Sequence, residues 1–504
     1  MGRPLDRPRL LPAPARRRVA LALAGAALLA GCASGPDFKP PEGPSSPGYT
    51  ASALADRTVS ADVALGAAQR IDPEAGPDGQ WWRTLGSPQL DALVEQAHRA
   101  SPTLAAARAS LAQARELQAA RAGSTRYPQL EAGFATQRQQ AMPVAGASAV
   151  AQVSGSSIAS LGARYAFDLA GGNRRALEAL AARTDYRSYQ LEAAKLTLTG
   201  SIVQAAVTIA ALSEQIRSTQ AMVGAQEEQV QIAGERMRLG HAAPNEQLAL
   251  QVQLESTRAD LHLLHRDRQH HEHLLAVLSG TEPGQGSLPA FTLDDFVLPQ
   301  SLPLVLPSQL ARRRPDIRAA ESLLRAANAE YGVAVASLYP QLSLSASFGS
   351  QAVTAASLFG GGSAVWSMGA QLAQPLFRPG LAAEKRAALA AFDAAAANYQ
   401  SVVLEALRTV ADVLRSVEQD ARVLASRSAA ERAAQASLRL AQQRYVLGAG
   451  SYLEVLDALR QLQQSRTALA AAQARRLQDT AALHVALGGA SLREVEAGIA
   501  VDSR

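Results

Sequence analysis

The chain has 504 residues, 48% of them apolar, with 49 Lys plus Arg against 44 Asp plus Glu and a single cysteine. That apolar content supplies a substantial core and excludes a disordered polyelectrolyte. One cysteine excludes disulfides within the chain and metal centres built from several thiolates.

The basic excess is local. Arg3, Arg7, Arg9, Arg16, Arg17 and Arg18 stand before the first apolar run, opposed only by Asp6. Without these seven residues, 43 basic and 43 acidic side chains remain and the net charge is zero. A nucleic-acid partner thereby loses its electrostatic basis.

Residues 1–31 have the zones of a secretory signal: an Arg-rich start, the apolar run Val19–Ala30 and a small-residue exit. Twelve apolar residues are too few to cross a bilayer as a helix, for which about 20 are needed. The exit Leu29-Ala30-Gly31-Cys32 resembles a bacterial lipobox, which implies a lipid on Cys32, the one covalent group expected. The alternative is an ordinary signal peptide with an incidental cysteine. Ala33, where Asp would resemble an inner-membrane retention signal, implies sorting to the outer membrane. Residues 32–79, rich in Gly, Pro, Ser and Asp, are expected to form an extended tether with little structure of its own.

From Trp81-Trp82 onward the chain is predicted to hold two copies of one design. The first, 80–285, opens with helices at Ser87-Pro88 and Ser101-Pro102. Strands follow at about 128–138 and 159–169, where Leu161, Ala163, Tyr165 and Phe167 alternate with polar or small residues. Residues 139–158 between them are expected to be a surface loop. A helical hairpin covers about 171–279, broken at Gly240–Pro244.

The second copy, 286–490, has a helix over Leu310–Leu338, strands at about 341–350 and 364–374, and a hairpin at about 380–488 broken at Gly448-Ala449-Gly450. Residues 491–504 form a tail. Gly172 to Gly380 and Gly240 to Gly448 are both offsets of 208, which indicates an internal duplication. Each long outgoing helix, near 68 residues, would measure about 100 Å. Arg, Glu, Asp and Gln punctuate these helices throughout, so they belong in water.

Four amphipathic strands cannot close a barrel, whose smallest ordinary form has eight. Two chains would give eight strands and three would give twelve; composition leaves both open.

The residues also resemble the outer-membrane factors of the TolC/OprM/NodT type. The similarity rests on Trp81-Trp82, Phe167-Asp168-Leu169, Arg313-Arg314-Pro315-Asp316, Gln374-Pro375-Leu376-Phe377 and Arg444-Tyr445-Val446-Leu447-Gly448 with the following Tyr452–Ala458. The Arg-Arg-Pro-Asp word resembles the lipoprotein branch that works with resistance–nodulation–division (RND) pumps. This implies a mainly α fold with a small transmembrane β part. It also implies a homotrimer whose twelve-stranded β-barrel continues into a periplasmic α-helical barrel, docking to a periplasmic adaptor (membrane fusion protein) and an inner-membrane RND transporter.

The resemblance further implies a periplasmic constriction at the hairpin tips, with acidic rings at Glu246, Glu454 and Asp457. Tyr445 and Arg444 would help to hold it closed. Arg236, Leu239, Gly240, Arg444, Gly448 and Ser451 would contact the adaptor. Gly450 stands where some relatives carry a basic latch residue. The competing reading is that these acids only solvate a helix surface.

No P-loop, nucleophile elbow, His-Glu-x-x-His or dinucleotide pattern is present, so no enzyme and no cofactor beyond the lipid are expected. His262, His265, His270, His271 and His273 lack the acidic or thiol partners of a metal set, so no metal site is expected. Pro315-Asp316 is expected to start a helix. The leading reading is a passive exit duct of a tripartite efflux pump. Its alternatives are a type I secretion duct or a non-conducting, lipid-anchored coiled-coil protein.

Overall fold

The computed structural model describes residues 35–73, 75–76, 78–141, 152–241, 243–285 and 288–489. The signal, Cys32 and the 491–504 tail lie outside them. In chain order the elements are β1 (Arg70–Asp72), α1 (Pro88–Ala100), α2 (Pro102–Arg126), β2 (Gln129–Ala141), β3 (Gln152–Phe167), α3 (Gly172–Arg238) and α4 (Pro244–Leu278). The second half holds β4 (Ser301–Pro303), α5 (Pro307–Arg313), α6 (Pro315–Ala336), β5 (Gln341–Ala352), β6 (Ala364–Ala373), α7 (Pro379–Val446) and α8 (Tyr452–Ala486). The fold is mainly α with a small β part, and it is duplicated: α3 and α7 have 67 and 68 residues, and α4 and α8 have 35 each.

The described residues form two compact units. One, including Ala112–Asp185 and Glu321–Asn398, carries an antiparallel sheet in the order β2-β3-β5-β6. Directly paired residues share a face, so the register sorts the sheet into rows. Ala132, Leu161, Phe348 and Trp366 form one row across all four strands, and Leu130, Ala163, Ala346 and Met368 the next. The opposite face carries Glu131, Gly162, Ser347 and Ser367, and beside them Gln129, Arg164, Ser345 and Gly369. Leu161, Phe348 and Trp366 are 54%, 66% and 77% exposed, so the apolar face has no protein cover among the described residues. Strands of 10 to 16 residues exceed or match the roughly 9–11 that a tilted membrane strand needs.

In this unit Asp168, just past β3, caps α3: its carboxylate accepts from Asn173 N at 3.0 Å and Arg174 N at 2.8 Å. Arg175, 4% exposed, donates to Asp37 at 2.7 Å and Glu178 at 2.8 Å, and so ties the described N-terminal segment to α3.

The other unit contains Pro41–Leu111, Tyr186–Ala320 and the chain from Tyr399. Its core gathers Trp81, Trp82 and Leu85, then Leu90, Leu93, Val94 and Ala97 from one face of α1, Ile202–Ala211 of α3 and Leu477 of α8. The most apolar stretch of α3 is long enough to cross a membrane by composition, but 61% of it is buried within the protein, where it serves as core.

Three expectations need correction. The tether is not structureless: Arg70–Asp72 pairs in parallel with Ser301–Pro303, and Arg57 bridges Arg70. The reason is Arg476 of α8, 1% exposed, whose guanidinium donates to Thr58 Oγ1 at 3.0 Å, Leu65 O at 3.1 Å and Ala67 O at 2.7 Å. The Leu310–Leu338 helix is broken at Arg314, which adopts an extended ψ of 126°. The following Pro315 disfavours a helical backbone there. Lastly, β2 and β3 run past the expected strand ends into the supposed 139–158 loop, where Ser154–Ser157 pair with Thr136–Gln139.

Candidate functional site at the hairpin tips

Both long helices end in the same cap. Gly240 has φ +77° and Gly448 φ +68°, a region glycine enters without a Cβ clash. His241 N donates to Arg236 O at 2.7 Å, and Ala449 N to Arg444 O at 2.8 Å, closing a Schellman loop at each tip. The return helices start differently. Ser451 caps α8 by accepting from Glu454 N, whereas Ala243 gives α4 no side-chain cap and Pro244 takes the first helical position. Glu246 and Glu454 therefore both sit in a first turn, where the helix dipole favours a carboxylate.

The second tip is cross-linked. Arg444 Nη1 lies 3.1 Å from Glu454 Oε2, and its Nη2 donates to Ala449 O at 3.0 Å. The rings of Tyr445 and Tyr452 are 5.2 Å apart, above an apolar cluster of Ala434, Leu438, Val455, Ala458 and Leu462. Asp457 meets Arg460 at 3.4 Å, one turn along α8. The charged side chains are about half exposed, so each pair contributes about 0–1 kcal/mol.

The first tip is organised otherwise. Arg238 pairs with Glu235 within α3, and Arg258 joins Glu227 and Glu255 at 2.7 Å each. Arg236 and Glu246, which correspond to Arg444 and Glu454 by the 208 offset, instead line a cleft of about 610 Å³ between the two hairpins. Tyr445, Ser451, Tyr452, Asp457 and Arg460 form its other wall. Burial pushes the Tyr452 hydroxyl up to about 12; Tyr445 and Glu228 push the same way and Arg236 opposes them. The hydroxyl therefore remains a neutral donor.

Of the residues expected here, the cleft brings together Arg236, Glu246, Tyr445, Ser451 and Asp457. Arg444 and Glu454 bind each other beside it. Leu239, Gly240 and Gly448 lie exposed at the turns, with Leu239 66% exposed. Tyr452 and Arg460 were not among the expected residues. The Asp457–Arg460 spacing of three was a legible helical ion-pair signal. Gly450 has a local reason to be small: a Cβ there would come within 3.0 Å of Arg444 Cβ and 3.2 Å of Glu454 Oε2. Acids and bases so placed can exchange partners, and they present charge at the mouth of the hairpins.

Residues 93–281 and 306–489 match the model of the outer membrane efflux protein family, one segment in each repeat. The chain belongs to that family. It is 33% identical over 430 residues to the pyoverdine export outer membrane protein OpmQ of Pseudomonas putida, spanning 82% of this chain and 89% of the relative. Its fold matches the outer-membrane channel OprN with a TM-score of 0.80 at 27% identity, covering 91% of this chain and 99% of that one. It also matches the open state of the Neisseria gonorrhoeae MtrE outer membrane channel, with a TM-score of 0.76 at 28% identity over 91% and 98% of the two chains. As an outer membrane efflux protein it resides in the outer membrane.

Proposed function

We propose that three copies of this chain form the passive exit duct of a tripartite efflux pump and carry small toxic compounds across the outer membrane. The observation that carries this reading is the four-stranded sheet, with one exposed apolar face, one Ser-rich face and two edge strands, β2 and β6, whose outer edges are unpaired among the described residues. Exposed edges are not tolerated in lipid. Pairing β6 of one copy with β2 of the next removes every edge, and three copies give twelve strands around a watery lumen.

The lipid on Cys32 fastens the assembly to the outer membrane. The hairpin tips meet a periplasmic adaptor, which links the duct to an inner-membrane RND transporter. The duct catalyses no reaction, and the energy for transport comes from that transporter. Glu246, Glu454 and Asp457, repeated around the threefold axis, form the cation-favouring constriction. Pyoverdine export by the relative supports export as the work of the duct.

The test is single-channel recording from the purified protein in a planar bilayer, alongside cross-linking to count subunits. Small, cation-selective steps from a trimer are expected. Trimers that never conduct would overturn the duct and return the coiled-coil alternative to first place.

A further inference from the structure

Away from the tips, α7 and α8 meet through two carboxyl groups. Asp420 of α7 faces Asp479 of α8 within hydrogen-bonding reach, and Asp420 Oδ2 is buried without a donor. Two ionised carboxylates in such contact repel, and neither can satisfy the other, because both only accept. One proton between them removes the repulsion and supplies the missing hydrogen bond.

The other charges around Asp420 agree. The groups facing it are Asp479, Arg475 and Arg476, all on α8. Arg475 is exposed to solvent, whereas Arg476 is buried and donates only to uncharged oxygens of residues 58–67. Glu418, two residues before Asp420, is occupied by Arg415 and Arg422 at 2.8 Å each. A pair that keeps one proton carries a single negative charge, which balances Arg476. A fully ionised pair leaves an excess negative charge in a partly buried place.

We infer that Asp420 and Asp479 share one proton across the α7–α8 contact, which makes this contact a pH-responsive joint confined to the second hairpin. Confinement follows from the duplication: the 208 offset places Leu212 and His271 at the matching positions of the first hairpin, so no carboxyl pair exists there. Desolvation, with Asp479 second, raises the Asp420 pKa to about 7. A group whose folded pKa is raised contributes stability that is complete below its unfolded value and is lost as pH rises through the folded one. The joint is therefore tightest in acid and loosens progressively as pH rises from about 4 to about 7.

Infrared spectroscopy of the purified full-length protein tests this directly, through the carbonyl band of a protonated carboxyl group. Wild type should hold that band at about pH 6 and lose it on titration through about pH 7. Asp420→Asn and Asp479→Asn should each abolish it, because an amide donates to the remaining carboxylate without a shared proton. As pH rises from about 4 to about 7, the thermal midpoint of wild type should fall relative to those of the two variants. A wild-type band missing at about pH 6, or a band and a midpoint titration unchanged in the variants, would overturn the inference. Two substitutions keep the test open if one of them fails to fold.

Discussion

Arg444 and Glu454 close the second hairpin on itself, guanidinium to carboxylate at 3.1 Å across the Gly448–Ser451 turn. Both side chains are about half exposed, so the pair adds under about 1 kcal/mol to stability. Its effect should lie in tip geometry. Arg444→Ala and Glu454→Ala are each expected to leave the melting temperature within about 2 °C of wild type while increasing single-channel conductance several-fold. A conductance equal to wild type in both would remove the pair from the gate.

The two-faced sheet predicts a strongly asymmetric response to charge. Leu161→Arg places a cation in the apolar row between Ala132 and Phe348 and should destabilise the barrel by about 2–4 kcal/mol. Ser347→Asp changes the opposite face, where Ser347 and Ser367 hydrogen-bond at 2.8 Å, and should fold normally. The yield of heat-modifiable protein after refolding into lipid vesicles measures both. Equal tolerance of the two changes would contradict the lipid-facing assignment.

The sheet and the hairpins were legible because their signals are local. Gly240, Pro244, Gly448 and Gly450 punctuate the helices, and period-two alternation at Leu161–Phe167 and Leu342–Phe348 marks the faces. Residues 57–72 gave no such signal. Thr58 and Gln69 look like loop residues, yet their partners Arg476 and Thr480 lie 418 and 411 positions away. The helix start at Pro315 was legible in Pro315-Asp316, and it is there that the longer Leu310–Leu338 span divides. At the tips the sequence named most of the charged groups. Which acid binds which base depended on side-chain reach, so the separate fates of Glu454 and Glu246 appeared only in three dimensions.

Acid should loosen the core through two histidines. His484 is 4% exposed and stacks on Trp81 at 5.4 Å, and His98 packs edge-on against Trp82 and meets Thr199 Oγ1 at 2.8 Å. Burial lowers both pKa values, that of His484 to about 4 from 6.5. The unfolded chain then binds protons that the folded chain refuses, so stability is lost as pH falls from about 6.5 toward about 4. For His484 the loss is on the order of 3 kcal/mol. In an Asp420→Asn background, thermal melts over that interval should show the decline, and adding His484→Phe should flatten most of it. An unchanged slope in the variant would assign the decline to other groups.

Gly448 and Gly450 share one turn and constrain it in different ways. Gly448 has φ +68°, so Gly448→Ala strains the backbone and should cost about 1 kcal/mol. Gly450 is small for a different reason: an added Cβ meets Arg444 Cβ at 3.0 Å and Glu454 Oε2 at 3.2 Å. Gly450→Ala should therefore displace the carboxylate and break the ion pair, with a stability change under about 1 kcal/mol. Its conductance should rise to the level of Glu454→Ala, and the double variant should add nothing further, because both changes remove the same contact. Recordings of the two single variants and the double variant decide the matter. Additive increases would mean that Gly450 acts on the tip independently of the Arg444–Glu454 pair.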